Sequence, residues 1–444
     1  MAIPKSRQMH LAAFCGQPGN HIASWRHPLA ATNAILDPSF YQNVAQIAER
    51  GLFDLVFLAD ILALTEPRSA EQQTIWEVPF RIDPLTVLPV MAAATERVGL
   101  AATASTSYNE PFNIARRFGL LDHLSRGRIG WNIVTTASEP EARNFEATQK
   151  LSHNERYARA TEFVEVTKKL WDSWSDDALI ADKDSGAYAD RTKIRTIDHV
   201  GTYFNVRGPL NLPRSPQGRP VLFQAGTSRA GREFAARTAD AVFLAAQTRE
   251  EAAAVSSAIR AIARQNGRTD DSIRFLPGVL VFIGRTTEEA RRKQDELNGL
   301  LGENAGTALL TELLNIDLSG FPPDCPFPEL DLSAVTGIQS RYRLLKDMAD
   351  RDNLTLRQVT QRVASGAGHR IVVGDPRAVA DQLEDWFVSG AVDGYTLMFP
   401  YLPGSLAEFV ELVVPVLQER GLFRTVYEGH TLRDHLGLER PARA

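Results

Sequence analysis

Near the middle of the chain, Val221-Leu-Phe-Gln-Ala-Gly-Thr-Ser-Arg-Ala-Gly231 joins an apolar run to Gly226, a Thr227-Ser228 pair and a helical pattern. Ser228 fits a helix N-cap, where a hydroxyl accepts a backbone N–H of the first turn. A helix start also presents unpaired N–H groups and the positive end of the helix dipole. With Gly226 allowing close approach, the segment suits a phosphate cradle. An ordinary capped helix accounts for the same residues. Tyr157 lies in the first turns of a helical segment opening at Asn154 and running to Trp171, so its phenol could reach a phosphate gathered there. A packed tyrosine is the plainer alternative, and Trp171 and Trp174 read as core or lid packing.

Three other apolar runs end in polar groups: Asp60; Thr103 with Ser105 and Thr106; and Asn132 with Thr135 and Thr136. Such groups can hydrogen-bond the heteroatom edge of a flat ring system, or they can satisfy loop backbone. His21 and His27 flank Trp25 in an early loop, and His21 is a candidate general acid or base, against the reading of a solvent-exposed loop histidine. His-Glu-x-x-His is absent, and His123, His153 and His199 fall on different elements without ligand spacing, so no metal site is expected. G-x-S-x-G, a P-loop and a G-x-G-x-x-G turn are also missing, which removes several enzyme classes.

The elements that must position these groups alternate. Apolar runs of strand length cover Met9 to Cys15, Asp54 to Asp60, Val98 to Ser105, Arg128 to Thr135, Val221 to Ala225, Ala241 to Ala246, Phe275 to Ile283 and Tyr395 to Phe399. Helical periodicity follows each, including Ser39 to Gly51, Asp83 to Arg97, Asn113 to Ser125, Ser228 to Thr238, Arg249 to Gln265, a helix from near Thr287 and Leu406 to Arg420. Nearly all-apolar strands suit a parallel sheet covered on both faces. The rhythm predicts an α/β fold, a (β/α)8 TIM barrel, with an open doubly wound sheet as the alternative. Strand ends then converge at one mouth, where barrel enzymes hold their ligands.

A barrel needs about 250 residues, and the chain has 444. The surplus falls in segments 61–82, 175–220 and 301–370, after strands 2, 4 and 7, and in a tail, 421–444. The first three are expected as walls and lid of the mouth within a single domain spanning 1–444. Charged residues are 23% and the formal net charge is -5, with no basic cluster to grip a nucleic-acid backbone. Two cysteines, Cys15 and Cys325, without a C-x-x-C pair, suit a reducing, cytoplasmic setting, and neither a signal peptide nor a membrane span is legible.

Longer motifs occur in a fixed order: Gly19-Asn-His-Ile22, Trp25-Arg-His-Pro28, Phe57-Leu-Ala-Asp60, Thr103-Ala-Ser-Thr-Ser107 with Glu110-Pro111, Leu121-Asp-His-Leu-Ser-Arg-Gly-Arg128, Gly130-Trp-Asn-Ile-Val-Thr135, His153-Asn-Glu-Arg-Tyr157, Phe223-Gln-Ala-Gly-Thr-Ser228 and Val413 to Phe423. Together, over nearly the whole chain, they resemble the bacterial-luciferase superfamily. Within it the likeness is to the nitrilotriacetate, dibenzothiophene-sulfone and long-chain-alkane monooxygenase family.

That resemblance implies a two-component monooxygenase. A separate NAD(P)H:flavin reductase would supply reduced FMN, and O2 would give one oxygen atom to a small organic substrate, with cleavage of a C–N or C–S bond expected. It implies flavin contacts at Asp60, Thr103, Asn132, His153, Tyr157 and Ser228, beside Gly226 and Thr227. His153 enters through the resemblance alone. Phe14, Phe57 and Trp131 are expected as apolar walls of the substrate pocket, and His21 and Asn132 as catalytic residues. The chain departs from the alkane-oxidising members at Pro18, Thr65 and Ala137, which disfavours a long alkane. A homodimer or homotetramer is implied. The rival readings are a deazaflavin-dependent hydride-transfer enzyme and a flavin carrier without turnover.

Overall fold

The strands are β1 (His10–Cys15), β2 (Leu55–Leu58), β3 (Gly99–Ser105), β4 (Ile129–Val134), the hairpin β5 (His199–Val200) and β6 (Asn205–Val206), β7 (Val221–Gln224), β8 (Ala241–Leu244), β9 (Arg274–Ile283), β10 (Arg370–Gly374) and β11 (Gly394–Met398). They belong to a computed structural model that describes residues 7–15, 18–64, 78, 81–136, 138–145, 151–301, 310–311, 313–314, 316–318, 320–331, 339–366 and 368–443. Thr65, Ala137, most of 61–82 and part of 301–370 lie outside the described residues.

Parallel pairing runs β1-β2-β3-β4-β7-β8-β9-β11, and β11 pairs back onto β1 through Leu11↔Tyr395 and its neighbours. The ring therefore closes as the expected eight-stranded barrel, and the open sheet is excluded. Side chains alternate in and out along each strand with period two. Ala12, Leu55, Phe57, Ala101, Val221, Phe223, Ala241 and Leu276 fill the interior, while Leu11, Val56, Leu100, Trp131, Leu222 and Val242 pack outward against helices.

A repeated device fixes the register at the N-terminal rim. Asp54, Asp240 and Asp393, each one residue before a strand, accept backbone N–H groups of Leu11 (2.7 Å), Leu222 (2.9 Å) and Phe275 (2.9 Å) on the neighbouring strands. Arginines neutralise all three: Arg424 on Asp54, Arg433 on Asp240, and Arg7 with Arg260 on Asp393. Two of those arginines come from the C-terminal tail, whose Leu432, Leu436 and Leu438 also join the interior cluster. The tail is thus the floor of the barrel.

One expectation needs correction. Segment 175–220 follows the helix His153–Trp171 rather than strand β4, so the chain has already returned to the floor side. There Arg214 pairs with Asp172, Gln217 donates to Asp122 and Ile129 O, and Arg440 of the tail binds Asp176. It is therefore not a wall of the mouth. The expected helix from near Thr287 is present as Thr287–Gly299, and a further helix, Pro376–Val388, leads into β11, preceded by the extra strand β10 on the upper half of β9. Between them, 301–370 carries its own small core of Leu314, Phe327, Tyr342, Leu345, Val359 and Val363.

Candidate active site at the barrel mouth

Ser228 caps the helix Arg229–Thr238, its Oγ accepting from Gly231 N at 3.1 Å. Opposite it, a capping box between Ser152 and Glu155 starts the helix His153–Trp171. This sets His153 and Tyr157, four residues apart, on one face of the first turns. His153 Nε2 lies 3.3 Å from Ser228 Oγ, and the Tyr157 ring packs edge-on against Phe234 at 5.8 Å. A Cβ added to Gly226 would stand 2.5 Å from both Tyr157 Oη and Gln224 Nε2, so the phenol and the amide close over a bare backbone. Gly226, Thr227, Ser228, His153 and Tyr157, drawn from two distant stretches of sequence, thus meet in one place.

The next group stands inside the rim. Thr103 donates to Leu58 O at 2.9 Å, and Asn132 Nδ2 donates to Thr103 Oγ1 at 2.9 Å. Asn132 Oδ1 and Gln224 Oε1 are buried and have no hydrogen-bond partner among the described residues. An unsatisfied buried acceptor costs about 1–3 kcal/mol, so such a pair suits a site completed by a ligand with N–H groups. Phe14, Phe57 and Phe243 form an apolar patch beside them, with ring centroids 5.6 Å (Phe14 to Phe57) and 5.9 Å (Phe57 to Phe243) apart.

Trp131 does not join this wall. Its neighbours on β4, Gly130 and Asn132, face the interior, so Trp131 points outward, fully buried against Phe118, Phe163 and Trp171, with Nε1 donating to Ala104 O at 3.0 Å.

Asp60 borders a cavity of about 580 Å3 shared with Asp83, Thr103, Tyr108, Asn109 and Arg117. Burial, then the charge of Asp83, pushes the Asp60 carboxyl up to about 6, and burial, then Asp60 itself, pushes Glu141 up to about 7. His21 is enclosed rather than exposed: its Nδ1 accepts from Ala23 N at 3.1 Å, and Nε2 lies 3.2 Å from Asn298 Oδ1. Burial lowers its pKa to about 4, so the ring is neutral and both nitrogens already have protein partners. In this arrangement His21 ties the loop after β1 to the helix Thr287–Gly299.

The sequence pattern of the luciferase-like monooxygenases matches residues 21–394. The chain belongs to that family. Among its relatives, it is 44% identical over 438 residues to the N-acetyl-S-(2-succino)cysteine monooxygenase of Bacillus subtilis (strain 168), covering 98% of each chain. It is 45% identical over 443 residues to nitrilotriacetate monooxygenase component A of Aminobacter aminovorans, again covering 98% of each. The crystal structure of a riboflavin lyase with modified FMN and substrate riboflavin superposes with a TM-score of 0.86 at 35% identity, covering 98% of this chain and 96% of that one. This luciferase-like monooxygenase is accordingly an enzyme, a flavin-dependent oxidoreductase acting on a small organic molecule.

Three residues of the mouth were not singled out in the sequence. Gln224 ends the apolar run Val221-Leu-Phe-Gln just as Asn132 ends part of its own, so the same signal was present. Phe243 and Asn298 carried no such mark, because an apolar strand residue and a helix asparagine acquire a role only from what folds against them.

Proposed function

We propose that this monooxygenase holds reduced FMN at the barrel mouth, receives it from a separate NAD(P)H:flavin reductase, and uses O2 to oxygenate a small organic substrate, breaking a C–N or C–S bond. The observation carrying this reading is the hollow over Gly226, where a side chain would strike Tyr157 Oη and Gln224 Nε2 at 2.5 Å. Ser228 Oγ, His153 and Tyr157 Oη surround that hollow at a helix start, as a phosphate requires. The orphaned Asn132 Oδ1 and Gln224 Oε1 fit the N–H edge of an isoalloxazine ring. Relatives named for nitrilotriacetate and for a succinylated cysteine support C–N and C–S substrates, and the name component A supports a second protein.

When bound, reduced FMN supplies the electron pair that sends one atom of O2 into the substrate and the other to water. The rest is work for the chain. Ser228, His153 and Tyr157 hold the phosphate. Thr103, fixed by Leu58 O and Asn132, keeps the Asn132 carbonyl aimed at the ring. Phe14, Phe57 and Phe243 exclude water from the reacting face. Asp60, with its carboxyl raised to about 6, carries a proton at mildly acid pH and has given most of it up by neutrality.

The test is turnover of the purified protein with FMN, NADH and a generic flavin reductase over a panel of amines and thioethers, with products read by mass. Gain of one 18O atom from 18O2, or loss of a small aldehyde, is expected. Identical products without O2 would favour hydride transfer instead, and tight flavin binding without turnover of any panel member would favour a carrier.

A further inference from the structure

Two carboxyls grip successive backbone N–H groups just past the end of β2. Asp60 accepts that of Ile61, and Glu141, from the segment after β4, accepts that of Leu62. Asn144 takes the other side of the same residue, its Nδ2 donating to Leu62 O at 2.9 Å. One residue further on, Phe145 lies flat on Tyr108 from the loop after β3, with ring centroids 4.4 Å apart and planes 8° apart. Three strand-end segments are thus fastened to one another at the cavity of about 580 Å3, whose wall includes Asp60, Leu62, Tyr108, Asn144 and Phe145.

Glu141 belongs to the short helix Glu139–Arg143 and is only 8% exposed. It reaches the cavity through the residues it holds, whereas Asp60 lines the wall directly. Among the described residues, the charge acting on Glu141 is that of Asp60. Asp83, ahead of the helix Pro84–Ala93, acts on Asp60 in turn. From the loop after β3, burial and then the charge of Glu141 raise the Tyr108 phenol, with Arg156 of the helix His153–Trp171 opposing them. Arg81 and Arg117 stand on the cavity wall beside Asp83. Adjoining buried carboxyls ionise one after the other rather than together. Asp60 loses its proton first, at about 6, and burial, then the charge left on Asp60, holds that of Glu141 up to about 7.

We propose that Glu141 is the positioning residue of Asp60: it ties the loop after β2 to the segment after β4 and, by keeping its own proton, leaves the charge of the pair on Asp60. Near neutrality the two carboxyls divide their roles, one as a carboxylate on the cavity wall and one as the acid that holds the wall in place. Above that range the second charge appears beside the first, and the clamp on Leu62 loosens. The bearing on the reaction rests on the flavin reading of the mouth, in which Asp60 faces the ring.

The experiment is a series of thermal midpoints from about pH 5 to about pH 8 for the native protein, Glu141→Gln, Asp60→Asn and the double variant, with hydrogen exchange at Leu62 followed alongside. Glutamine keeps an oxygen for the Leu62 N–H and cannot ionise. The folded protein holds the Glu141 proton more tightly than the unfolded chain, so its stabilisation is full below the ordinary 4.5 and is lost as pH rises through about 7. Glu141→Gln should therefore match the native protein near the acid end and exceed its midpoint at the alkaline end, where Leu62 should also exchange more slowly than in the native protein. In the Asp60→Asn background the same gain should be smaller and begin at lower pH. No gain at the alkaline end, or an equal gain with the same onset in both backgrounds, overturns the inference. Glu141→Ala should expose Leu62 to exchange throughout the series, and native-like protection there overturns the clamp; if that variant does not fold, the glutamine series decides. Oxidised FMN should bind Glu141→Gln as it binds the native protein at the acid end and more tightly at the alkaline end, and equal affinity at both overturns the link to the flavin site. A native protein that binds no FMN at any pH would instead overturn the flavin reading, while the midpoints still decide the clamp.

Discussion

Asn132 gives its amide N–H to Thr103 Oγ1 at 2.9 Å and thereby turns its own carbonyl, buried and unpartnered, into the barrel mouth. The hydroxyl of Thr103 is in turn spent on Leu58 O, so the orientation of the amide is fixed by a chain of two bonds rooted in β2. Removing the amide should cost flavin affinity rather than stability. Asn132→Ala is expected to weaken reduced-FMN binding about 5- to 30-fold, the worth of one buried hydrogen bond, with little change in the thermal midpoint. Anaerobic titration followed by flavin fluorescence checks this.

Gly226 is a sharper case, because its role is to be absent. Gly226→Ala puts a methyl group 2.5 Å from Tyr157 Oη and Gln224 Nε2. The side chains must move out of the cradle, and FMN affinity should fall at least about tenfold. Tyr157→Phe in the same background should add little, since the phenol has already been displaced. A double-mutant cycle in flavin affinity measures that non-additivity.

Trp131 marks the line between legible and illegible features. Its indole, fully buried outside the barrel and bonded to Ala104 O at 3.0 Å, serves packing. Trp131→Phe should lower stability by about 1–3 kcal/mol in denaturant melts and leave FMN affinity and substrate KM as they were. An unchanged melt with a raised KM would return Trp131 to the pocket.

The eight barrel strands and the capped helix start at Ser228, behind Gly226, could be read from the sequence because each is local: an apolar run, a polar strand end, an N-cap hydroxyl. Which face Trp131 takes could not, since two successive apolar residues on a strand covered on both sides look alike without their neighbours. Segment 175–220 posed the same difficulty. Its partners, Asp122, Asp172 and the tail at Arg440, are remote in sequence, and only they show that it belongs to the floor. Strand β10 was hidden for another reason: the five residues Arg370–Gly374 sit at the end of a long insertion and add to β9 beyond the barrel's own rhythm.

Asp60 predicts a pH dependence of stability. Its carboxyl is raised from 3.8 to about 6 by burial, then by the charge of Asp83. The folded protein therefore holds this proton more tightly than the unfolded chain does. The resulting stabilisation is complete below about pH 4 and is lost as pH rises through about 6. Asp60→Asn cannot ionise, so its melting temperature should exceed that of the native protein at pH 8, with the gain vanishing near pH 4. A variant less stable at pH 8 than the native protein would contradict the assignment.

The most direct test is a crystal structure with FMN. The phosphate should lie within hydrogen-bond distance of Ser228 Oγ and Tyr157 Oη, over Gly226, with the ring beside Asn132 and Gln224. Flavin bound elsewhere, or a cradle that stays vacant at saturating nucleotide while Asn132 Oδ1 remains without a partner, would contradict the account.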